Sequence, residues 1–341
     1  MANGKGWEEK YLDGCLTEDQ ERVQVFGKFG AEIQGVIKHF AAENRGNKRG
    51  LHAKSLAGVT NAIFRVAPRE ILSEDFQVGF LRPDEKYNAI VRFSNAGSKV
   101  EANDSNPEDL RGVAIRVETT PGDHQGDHDF LMTNAEPHHA KDAKEAMAAI
   151  VAKADGLAGV ERLIQEVGLF EVGRMKWTVA RQMARPVESL STETYWSRAP
   201  IAIGKDVQNR PGDAVAVKYR LKAVLDKPEH PKPCPDLTAE FTQCLAQRPL
   251  LFLFQVQRYV DEHRTPIENA TVQWDSEYET IAELIIPRQD PPVQMDSTFF
   301  DSLVFKPWNV DKRVFRPLGS MNRVRKVVYP ASVEGRPSSE S

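Results

Sequence analysis

The chain has 341 residues, enough for one large domain or two modest ones, and either could enclose a buried cavity. Its 45 basic and 49 acidic side chains leave a formal charge of -4 at pH 7. This balance gives no electrostatic reason to bind nucleic acid or an anionic membrane. We therefore expect a small-molecule partner and no nucleic acid.

The cysteines and the apolar segments indicate the cellular compartment of the protein. The chain has three cysteines, none spaced as C-x-x-C, so neither a disulfide framework nor a zinc knuckle is indicated. The charged N-terminus lacks the apolar core of a signal peptide, and no apolar run approaches the roughly 20 residues that cross a bilayer. We expect a cytoplasmic protein without an integral membrane segment.

The first predicted element is an N-terminal helix. Thr17 and Gln20 have the spacing of a capping box, and the apolar residues that follow recur at intervals of three and four. A polar stretch rich in Asn and Gly ends the pattern. We predict an N-terminal helical arm over residues 1–47, a single domain over residues 48–337, and a disordered polar tail over residues 338–341.

Beyond the arm the pattern changes to short β-like runs, several of which alternate with a period of two. They are Ala89 to Phe93, Val113 to Val117, Ala214 to Leu221, Leu250 to Val260, Ala270 to Trp274 and Ile281 to Ile286. Two helical tracts, Ala140 to Ala154 and Val160 to Met183, interrupt the strands only in the middle. Strands that mostly follow strands favour an α+β fold, with an antiparallel sheet or barrel and helices outside it.

The most informative stretch lies near the C-terminus. Arg325, Tyr329, Ser332 and Arg336 stand at relative positions 0, 4, 7 and 11, within roughly 60° of one another on a helix. A guanidinium one turn from a phenol favours the phenolate, a hard anionic ligand that suits ferric iron. By spacing alone, a surface helix with a salt-bridged tyrosine is the commoner structure, and Pro330 can kink the helix.

This stretch resembles the proximal haem motif of the haem catalases, R-x-x-x-Y-x-x-S/T-x-x-x-R with a proline after the tyrosine. The resemblance implies a haem b cofactor whose iron has Tyr329 as its axial ligand. It further implies that Arg325 bonds the phenolate, that Arg336 pairs with a haem propionate, and that Ser332 lies on the same cofactor-binding face.

A second match stands near the start of the predicted domain. The segment from Arg49 to Lys54 resembles R-x-x-H-A-K, which holds the distal histidine of catalases, and Arg92 to Ser94 resembles their R-F-S strand. The resemblance implies that His52 moves the proton of a peroxide and that Ser94 orients its imidazole. It also implies that Arg49 and Arg92 bind propionates. Without it, His52 is most simply a solvated loop histidine.

Two more matches lie further along the chain. Leu110 to Ala114 resembles the R-G-F-A strand of the same family. An N-x-x-P match assigns Asn134 as a catalytic residue that donates a hydrogen bond to the substrate, and Thr133 is the near alternative. His138 and His139 follow where catalases have apolar aromatic residues, which predicts a more polar access channel and leaves the substrate size open.

The histidines near Asn134 allow a different interpretation. They could form a metal-binding cluster with the acidic turn before them, which comprises Asp123, His124, Asp127, His128 and Asp129. The spacing of these residues is irregular, and a solvated loop is the more common structure for such a turn.

The resemblance extends from about residue 48 to residue 336 and is strongest to the short catalase-related proteins. It implies a catalase-like antiparallel β-barrel core with surrounding helices and leaves a homodimer open. The implied activity is that of a haem peroxidase or catalase-like enzyme cleaving the O–O bond of hydrogen peroxide or organic hydroperoxides. Two alternatives stay open: rearrangement of a fatty-acid hydroperoxide, as in allene oxide synthases or hydroperoxide lyases, and haem binding without turnover. Leu51, apolar like the valine of catalases, favours the peroxidase.

Overall fold

Ten strands form one sheet in the described part of the chain. The computed structural model describes residues 3–12, 14, 16–43, 49–100, 104, 109–119, 127–227, 229, 232–289 and 296–336. The strands are β1 Ser55–Val66, β2 Lys86–Asn95, β3 Arg111–Val117, β4 His128–Thr133, β5 Thr194–Trp196, β6 Ile201–Ile203, β7 Val215–Ala223, β8 Leu250–Arg258, β9 Tyr278–Ile286 and β10 Phe315–Pro317.

Eight of these strands close into a barrel. Their order around the ring is β7-β5-β4-β3-β2-β1-β9-β8, and β8 pairs back with β7. Strands β6 and β10 extend the sheet from the start of β7. Every pairing is antiparallel, so the predicted antiparallel barrel is confirmed.

The barrel interior is a packed core. Strand alternation points Val91 and Phe93 inward, where both are fully buried, and residues from the other strands meet them. Burying side chains of this size stabilises the fold by roughly 1.5–3 kcal/mol each before entropy is counted. The void that remains between Phe130 and Phe254 has about 10 Å³, too little for a ligand. Any site of useful size must therefore lie outside the barrel.

Helices cover the outside of the barrel. They are α1 Glu18–Gln24, α2 Gly27–Glu43, α3 Ala143–Ala154, α4 Gly156–Val167, α5 Leu169–Met183, α6 Leu237–Gln247, α7 Ser297–Ser302, α8 Ser320–Arg323 and α9 Arg325–Glu334. Helices α2, α3, α8 and α9 share one apolar cluster, which includes Ile33, Met147 and Val328. The α+β class predicted from the sequence is confirmed.

The helices differ from the prediction in where they break. The capping box is confirmed, since Thr17 Oγ1 accepts the Gln20 amide at 3.3 Å and Gln20 Oε1 accepts the Thr17 amide at 2.9 Å. The N-terminal pattern, however, divides into α1 and α2. The predicted helix from Val160 to Met183 is likewise two helices, because Gly168 adopts a φ of 89° that ends α4.

One predicted strand is wrong, and five of the ten strands in the described residues, β1, β4, β5, β6 and β10, were not predicted. The run from Ala270 to Trp274 is a loop, and the prediction of a strand there is wrong, because the amide and carbonyl of Ala270 bond to Lys141 and His138 instead of to a strand. The longest strand, β1, was not predicted. A register shift between Val59 and Ala62 breaks its alternation, so the period of two is hidden.

The N-terminal residues pack against the barrel and its helices. Trp7 Nε1 donates to the carbonyl of Ala214 at 2.9 Å, and the buried Arg323 binds Glu9 and Glu21 at 2.8 and 2.6 Å. Residues 44–48, around the predicted domain boundary, and the predicted tail at residues 338–341 lie outside the described residues. Among the described residues, no helix combines the length and apolarity needed to cross a membrane.

Candidate active site

A cavity of about 280 Å³ lies between the outer face of the barrel and the helices α2, α3 and α9. It forms there because alternation turns Arg92 and Ser94 outward while their neighbours in β2 fill the barrel. Eight of the nine predicted site residues line this cavity: Arg49, His52, Arg92, Ser94, Arg325, Tyr329, Ser332 and Arg336. Distant parts of the chain thus meet as predicted.

His52 is held in a strained backbone conformation with a φ of 51°. Its amide donates to the carbonyl of Ala96 at 3.2 Å, and its carbonyl accepts Arg92 Nη2 at 2.8 Å. Its Nδ1 lies 3.0 Å from Ser94 Oγ. Backbone and ring are therefore both fixed, and when Nδ1–H donates to Ser94, Nε2 carries the lone pair.

The imidazole of His52 is neutral at physiological pH. Desolvation lowers its pKa to about 3, and the positive charges of Arg92 and Arg49 act in the same direction. Protonation would add a cation to a cavity that already holds several. The neutral ring is the form that can accept a proton from a ligand.

Gly112 leaves the space that the His52 ring occupies. A Cβ at this position would lie 2.7 Å from Cε1 and Nδ1 of His52 and 3.1 Å from Ser94 Oγ. A side chain at residue 112 would therefore displace the imidazole or its hydrogen-bond partner. This glycine belongs to the R-G-F-A strand match, and nothing in that match predicts its contact with His52.

Three arginines gather around one carboxylate at the edge of the cavity. Arg92 Nη2 lies 3.4 Å from Asp301 Oδ1, and Arg49 Nε donates to the Asp301 carbonyl at 3.2 Å. Desolvation lowers the pKa of Arg49 to about 9 and that of Arg92 to about 10, and it also lowers the pKa of Arg336. The charge of Arg336 adds to the lowering at both of the others. Such a cluster is stabilised by additional anionic groups.

Helix α9 carries the predicted phenol to the cavity. Tyr329 is half-buried, and Pro330 is accommodated within the helix, which continues to Glu334. Arg325 Nη1 donates to Asn322 Oδ1 at 2.9 Å, which anchors this guanidinium one turn before the tyrosine. The shared face predicted from the spacing is thus the face that lines the cavity.

Asn134, which was predicted to contact the substrate, is not among the described residues that line the cavity. Its Oδ1 accepts the Arg111 amide at 2.8 Å and its Nδ2 donates to the buried Glu193 at 3.1 Å. The side chain of Asn134 therefore links the segments of Arg111 and Glu193 by hydrogen bonds. Thr133, the near alternative, lines the cavity because it shares the outward face of β4 with Leu131.

His138 and His139 line the cavity, and their rings stack with centroids 4.4 Å apart. Desolvation and the charge of Arg198 lower the pKa of both, that of His139 to about 3. Arg198 was not predicted. It is buried, has a φ of 57° and lines the same cavity, and its Nε has no hydrogen-bond partner among the described residues. The signal that could have found it is an arginine directly before the apolar run 199–203.

The alternative metal cluster is not supported in the described residues, where no group of three or more His, Cys, Asp or Glu side chains could hold a metal ion. Asp123 and His124 lie outside the described residues. His128 points into the barrel, where its ring contacts Phe130 and Phe315 at 4.3 and 4.4 Å between centroids. Of the turn's described residues, His128 and Asp129 therefore lie in strand β4 and are buried.

The residues present fit a haem. The guanidinium groups of Arg49, Arg92 and Arg336 lie around the carboxylate of Asp301 and are candidate partners for two propionates. Tyr329 offers an oxygen ligand for iron. Apolar walls from both sides suit a flat macrocycle: Val113, Leu131, Met147, Ile150, Val324 and Val328.

Solved structures that resemble this chain are catalases. Catalase A from Saccharomyces cerevisiae gives a TM-score of 0.62 at 13% sequence identity, over 87% of this chain and 62% of that one. A fungal catalase gives 0.62 at 15%, over 86% and 60%, and a bacterial catalase gives 0.61 at 15%, over 99% and 65%. This chain spans less than two thirds of each. No protein-family model and no curated protein sequence matches it.

Structural matches at 13–15% sequence identity show that the fold is shared, but they do not show a shared activity or ligand. The matched regions cover 87% and 99% of this chain in two of these comparisons, and they include the barrel and the helices that enclose the cavity. The protein therefore has a catalase-like fold, a closed eight-stranded antiparallel barrel with helices packed on its outside.

Proposed function

We propose that this protein is a haem-dependent oxidoreductase that acts on peroxides, a catalase-related peroxidase. The observation that carries the proposal is the geometry of His52. A neutral imidazole, fixed by Ser94 at 3.0 Å, lines the same cavity as the phenol of Tyr329. The catalase-like fold supports the proposal at the level of architecture.

Four residues would hold the cofactor. Tyr329 would bind the iron of a haem b, and Arg49, Arg92 and Arg336 would bind its propionates, with Arg325 beside the phenol and Ser332 on the same helix face. A bound haem supplies the redox-active iron at which the O–O bond of a peroxide is cleaved. In the catalase reaction two H2O2 give two water molecules and O2, so that one peroxide is reduced and the other is oxidised.

His52 would move the proton in this reaction. With Nδ1–H donated to Ser94, its Nε2 accepts the proton from one peroxide oxygen and returns it to the other, which leaves as water. Because the pKa of His52 is about 3, the base is available throughout the physiological range. We assign the neighbouring hydrogen-bond donor to Thr133, since Asn134 is engaged with Arg111 and Glu193.

The test combines spectroscopy with turnover. The purified protein is titrated with ferric haem, and its absorption spectrum and release of O2 from H2O2 are measured beside Tyr329→Phe, His52→Ala and the control Tyr259→Phe. We expect a Soret band with charge-transfer features of a tyrosinate ligand, lost in Tyr329→Phe and kept in the control. His52→Ala should keep the spectrum and lose about 100-fold or more of the turnover.

Three outcomes would contradict the proposal. The absence of a Soret band after addition of haem would show that the protein does not bind this cofactor. An unaltered spectrum of Tyr329→Phe would show that Tyr329 is not the iron ligand. Unchanged O2 release by His52→Ala would leave the protein as a haem carrier without turnover.

A further inference from the structure

Three hydrogen-bonded side chains lead from the cavity towards the protein surface. Trp196 lines the cavity, and its Nε1 donates to the hydroxyl of Tyr278 at 3.2 Å. That hydroxyl donates to Glu136 Oε1 at 3.1 Å. Tyr278 and Glu136 are partly exposed and are not among the described residues that line the cavity. The three side chains therefore connect the cavity wall with the outside of the protein.

The chemistry of the three groups fixes the position of each proton. An indole N–H can only donate a hydrogen bond, and an ionised carboxylate can only accept one. The hydroxyl of Tyr278 lies between the two, so it accepts from Trp196 and donates to Glu136. The phenol proton is therefore directed at the carboxylate.

Glu136 is well placed to receive this proton. Gln273 Nε2 donates to its Oε2 at 2.7 Å, which holds the carboxylate in position. Desolvation raises the pKa of Glu136, so its carboxylate binds a proton more readily than an exposed one does. Desolvation and the charge of Glu136 raise the pKa of Tyr278 to about 12, so the phenol carries its proton at neutral pH.

A cation lies on the ring of Tyr278. The guanidinium carbon of Arg220 is 3.2 Å from the ring centroid, and Arg220 Nε donates to Gln255 Oε1 at 2.9 Å. A positive charge this close opposes the formation of a second one on the phenol. Tyr278 can therefore lose an electron only when its proton leaves as well, and Glu136 is the group that accepts the proton.

Indole and phenol groups are among the side chains that lose one electron most readily, and here one hydrogen bond joins them. The other indoles with a hydrogen bond in the described residues donate to backbone carbonyl groups. We propose that Tyr278 is a surface site for the one-electron oxidation of phenols, coupled to the cavity through Trp196, with Glu136 as the acceptor of its proton. The inference rests on the proposed function, which supplies the oxidant, and it names the class of reductant.

The reaction balances as H2O2 and two ArOH giving two H2O and two ArO•. For each electron, Trp196 is oxidised from the cavity and is reduced by Tyr278, whose proton passes to Glu136. A phenol at the surface then returns the electron to Tyr278, which takes its proton back from Glu136. The phenol releases its own proton to solvent, and solvent supplies the protons that the peroxide takes up.

The first measurement detects the radical. Protein with ring-deuterated tyrosine is loaded with haem, mixed with H2O2 and frozen, and its EPR spectrum is compared with that of unlabelled protein. Deuteration narrows the signal of a tyrosyl radical. We expect such a signal in wild type, and we expect Tyr278→Phe and Trp196→Phe to lose it. Tyr259→Phe is the matched control and should keep the signal, since the hydroxyl of Tyr259 also donates to a glutamate, at 3.3 Å.

The second measurement uses a phenol that cannot enter the cavity. Tyramine coupled to dextran is too large for a space of about 280 Å³, and its oxidation is followed by the fluorescence of the coupled phenols. The rate is divided by the rate of O2 release from H2O2. Tyr278→Phe and Glu136→Gln should lower this ratio by about 10-fold or more, because the proton transfer is lost. Tyr259→Phe should keep it.

The third measurement needs no haem. Azidyl radicals made by pulse radiolysis oxidise tryptophan in the haem-free protein, and electron transfer from tyrosine is followed by the rise of tyrosyl absorption. We expect a fast phase that is lost in Trp196→Phe and in Tyr278→Phe. It should persist in Tyr259→Phe and in Trp177→Phe, which removes an exposed indole on α5.

The outcomes separate this inference from the proposed function. If wild type releases O2 from H2O2 but Tyr278→Phe and Tyr259→Phe give the same radical signal and the same ratio, the inference fails and the proposed function stands. If the protein binds no haem or releases no O2, while Tyr278→Phe alone of the two tyrosine variants loses the fast phase, the proposed function fails and the electron-transfer path stands.

Discussion

The chemistry of His52 depends on a small number of neighbouring atoms. Its left-handed backbone is stabilised by Arg92, which donates to the His52 carbonyl, and by the bond from the His52 amide to Ala96. Ser94 orients the ring, and Gly112 leaves the room for it. Strain of this kind persists only where the surrounding structure enforces it, which is typical of functional sites.

The contact with Gly112 makes a sharp prediction. Gly112→Ala places a methyl group 2.7 Å from Cε1 and Nδ1 of His52, so the ring must move and lose its bond to Ser94. We expect peroxide turnover to fall by about 100-fold, while the Soret band of the haem-loaded protein is retained. Turnover and the absorption spectrum are measured on the same preparation.

The control for this variant is Gly173→Ala. Gly173 lies on α5, and a Cβ there meets nothing within 4 Å. This substitution should leave turnover unchanged. Full activity in Gly112→Ala would mean that the position of the His52 ring does not matter to the reaction.

At the residue scale, motif matches predicted eight of the residues that line the cavity. Arg325 and Tyr329 are separated by one helical turn, so their common face follows from helix geometry alone. Arg198 could not be found in this way. It reaches the cavity from an irregular segment after β5, with a φ of 57°, and no period in the sequence describes such a backbone.

At the scale of elements, strand β4 decides which polar side chain reaches the cavity. Thr133 is its last residue and lies on the same face as Leu131, whereas Asn134 has left the strand and bonds to Arg111 and Glu193. Both residues lie in the segment of the sequence match. The one-residue difference between the two side chains depends on where the strand ends, which the match does not specify.

This arrangement predicts different effects for two neighbouring variants. Thr133→Val removes a hydroxyl from the cavity and should lower peroxide turnover by roughly 10-fold to 100-fold with little change in Tm. Asn134→Ala leaves the Arg111 amide without its partner and removes one of the donors to Glu193, which keeps Arg185 and Lys227, so it should lower the free energy of unfolding by about 1–3 kcal/mol. Thermal unfolding and turnover are measured for both.

The opposite result for the two variants would place Asn134 in the active site. If Asn134→Ala keeps the wild-type Tm and loses its turnover, while Thr133→Val retains turnover, the amide must reach the substrate when haem is bound. The unfolding data separate this outcome from a loss of fold.

At the scale of the whole molecule, the barrel interior contains one histidine that has no ion-pair partner. His128 lies among aromatic rings, and neither ring nitrogen has a hydrogen-bond partner in the described residues. Desolvation lowers its pKa to about 3, although Asp311 acts in the opposite direction. Charging this ring inside the barrel is therefore strongly unfavourable.

His128 should make the fold sensitive to acid. The unfolded chain binds the proton near pH 6.5 and the folded chain near pH 3, so the stability is complete above pH 6.5 and is lost as the pH falls towards 3. At about pH 4.5 this group alone lowers the free energy of unfolding by roughly 3 kcal/mol. We expect His128→Phe to reduce the loss of Tm between neutral pH and pH 4.5.

The exposed His263 provides the control, since His263→Phe should leave the acid sensitivity of wild type in place. His52, His138 and His139 contribute with the same sign, so the variant lessens the pH dependence without removing it. Equal pH profiles for wild type and His128→Phe would show that the core histidine does not titrate on unfolding.

Regular periodicity is what the sequence by itself determined. It predicted the capped N-terminal helix, most of the central barrel strands and the helix face that carries Tyr329, because side-chain direction in a regular element follows residue spacing. It did not predict β1, in which a register shift breaks the period. It did not predict the helix break at Gly168, and it predicted a strand at Ala270, where the structure has a loop.

Only the tertiary structure decided the features made by segments far apart in the chain. The gathering of three arginines around Asp301, the contact of Gly112 with His52 and the place of Arg198 in the cavity lining each depend on how separate elements pack. Residue spacing sets the direction of a side chain within its own element. Which atoms it meets across the cavity is set by packing between elements, and the local sequence does not encode it.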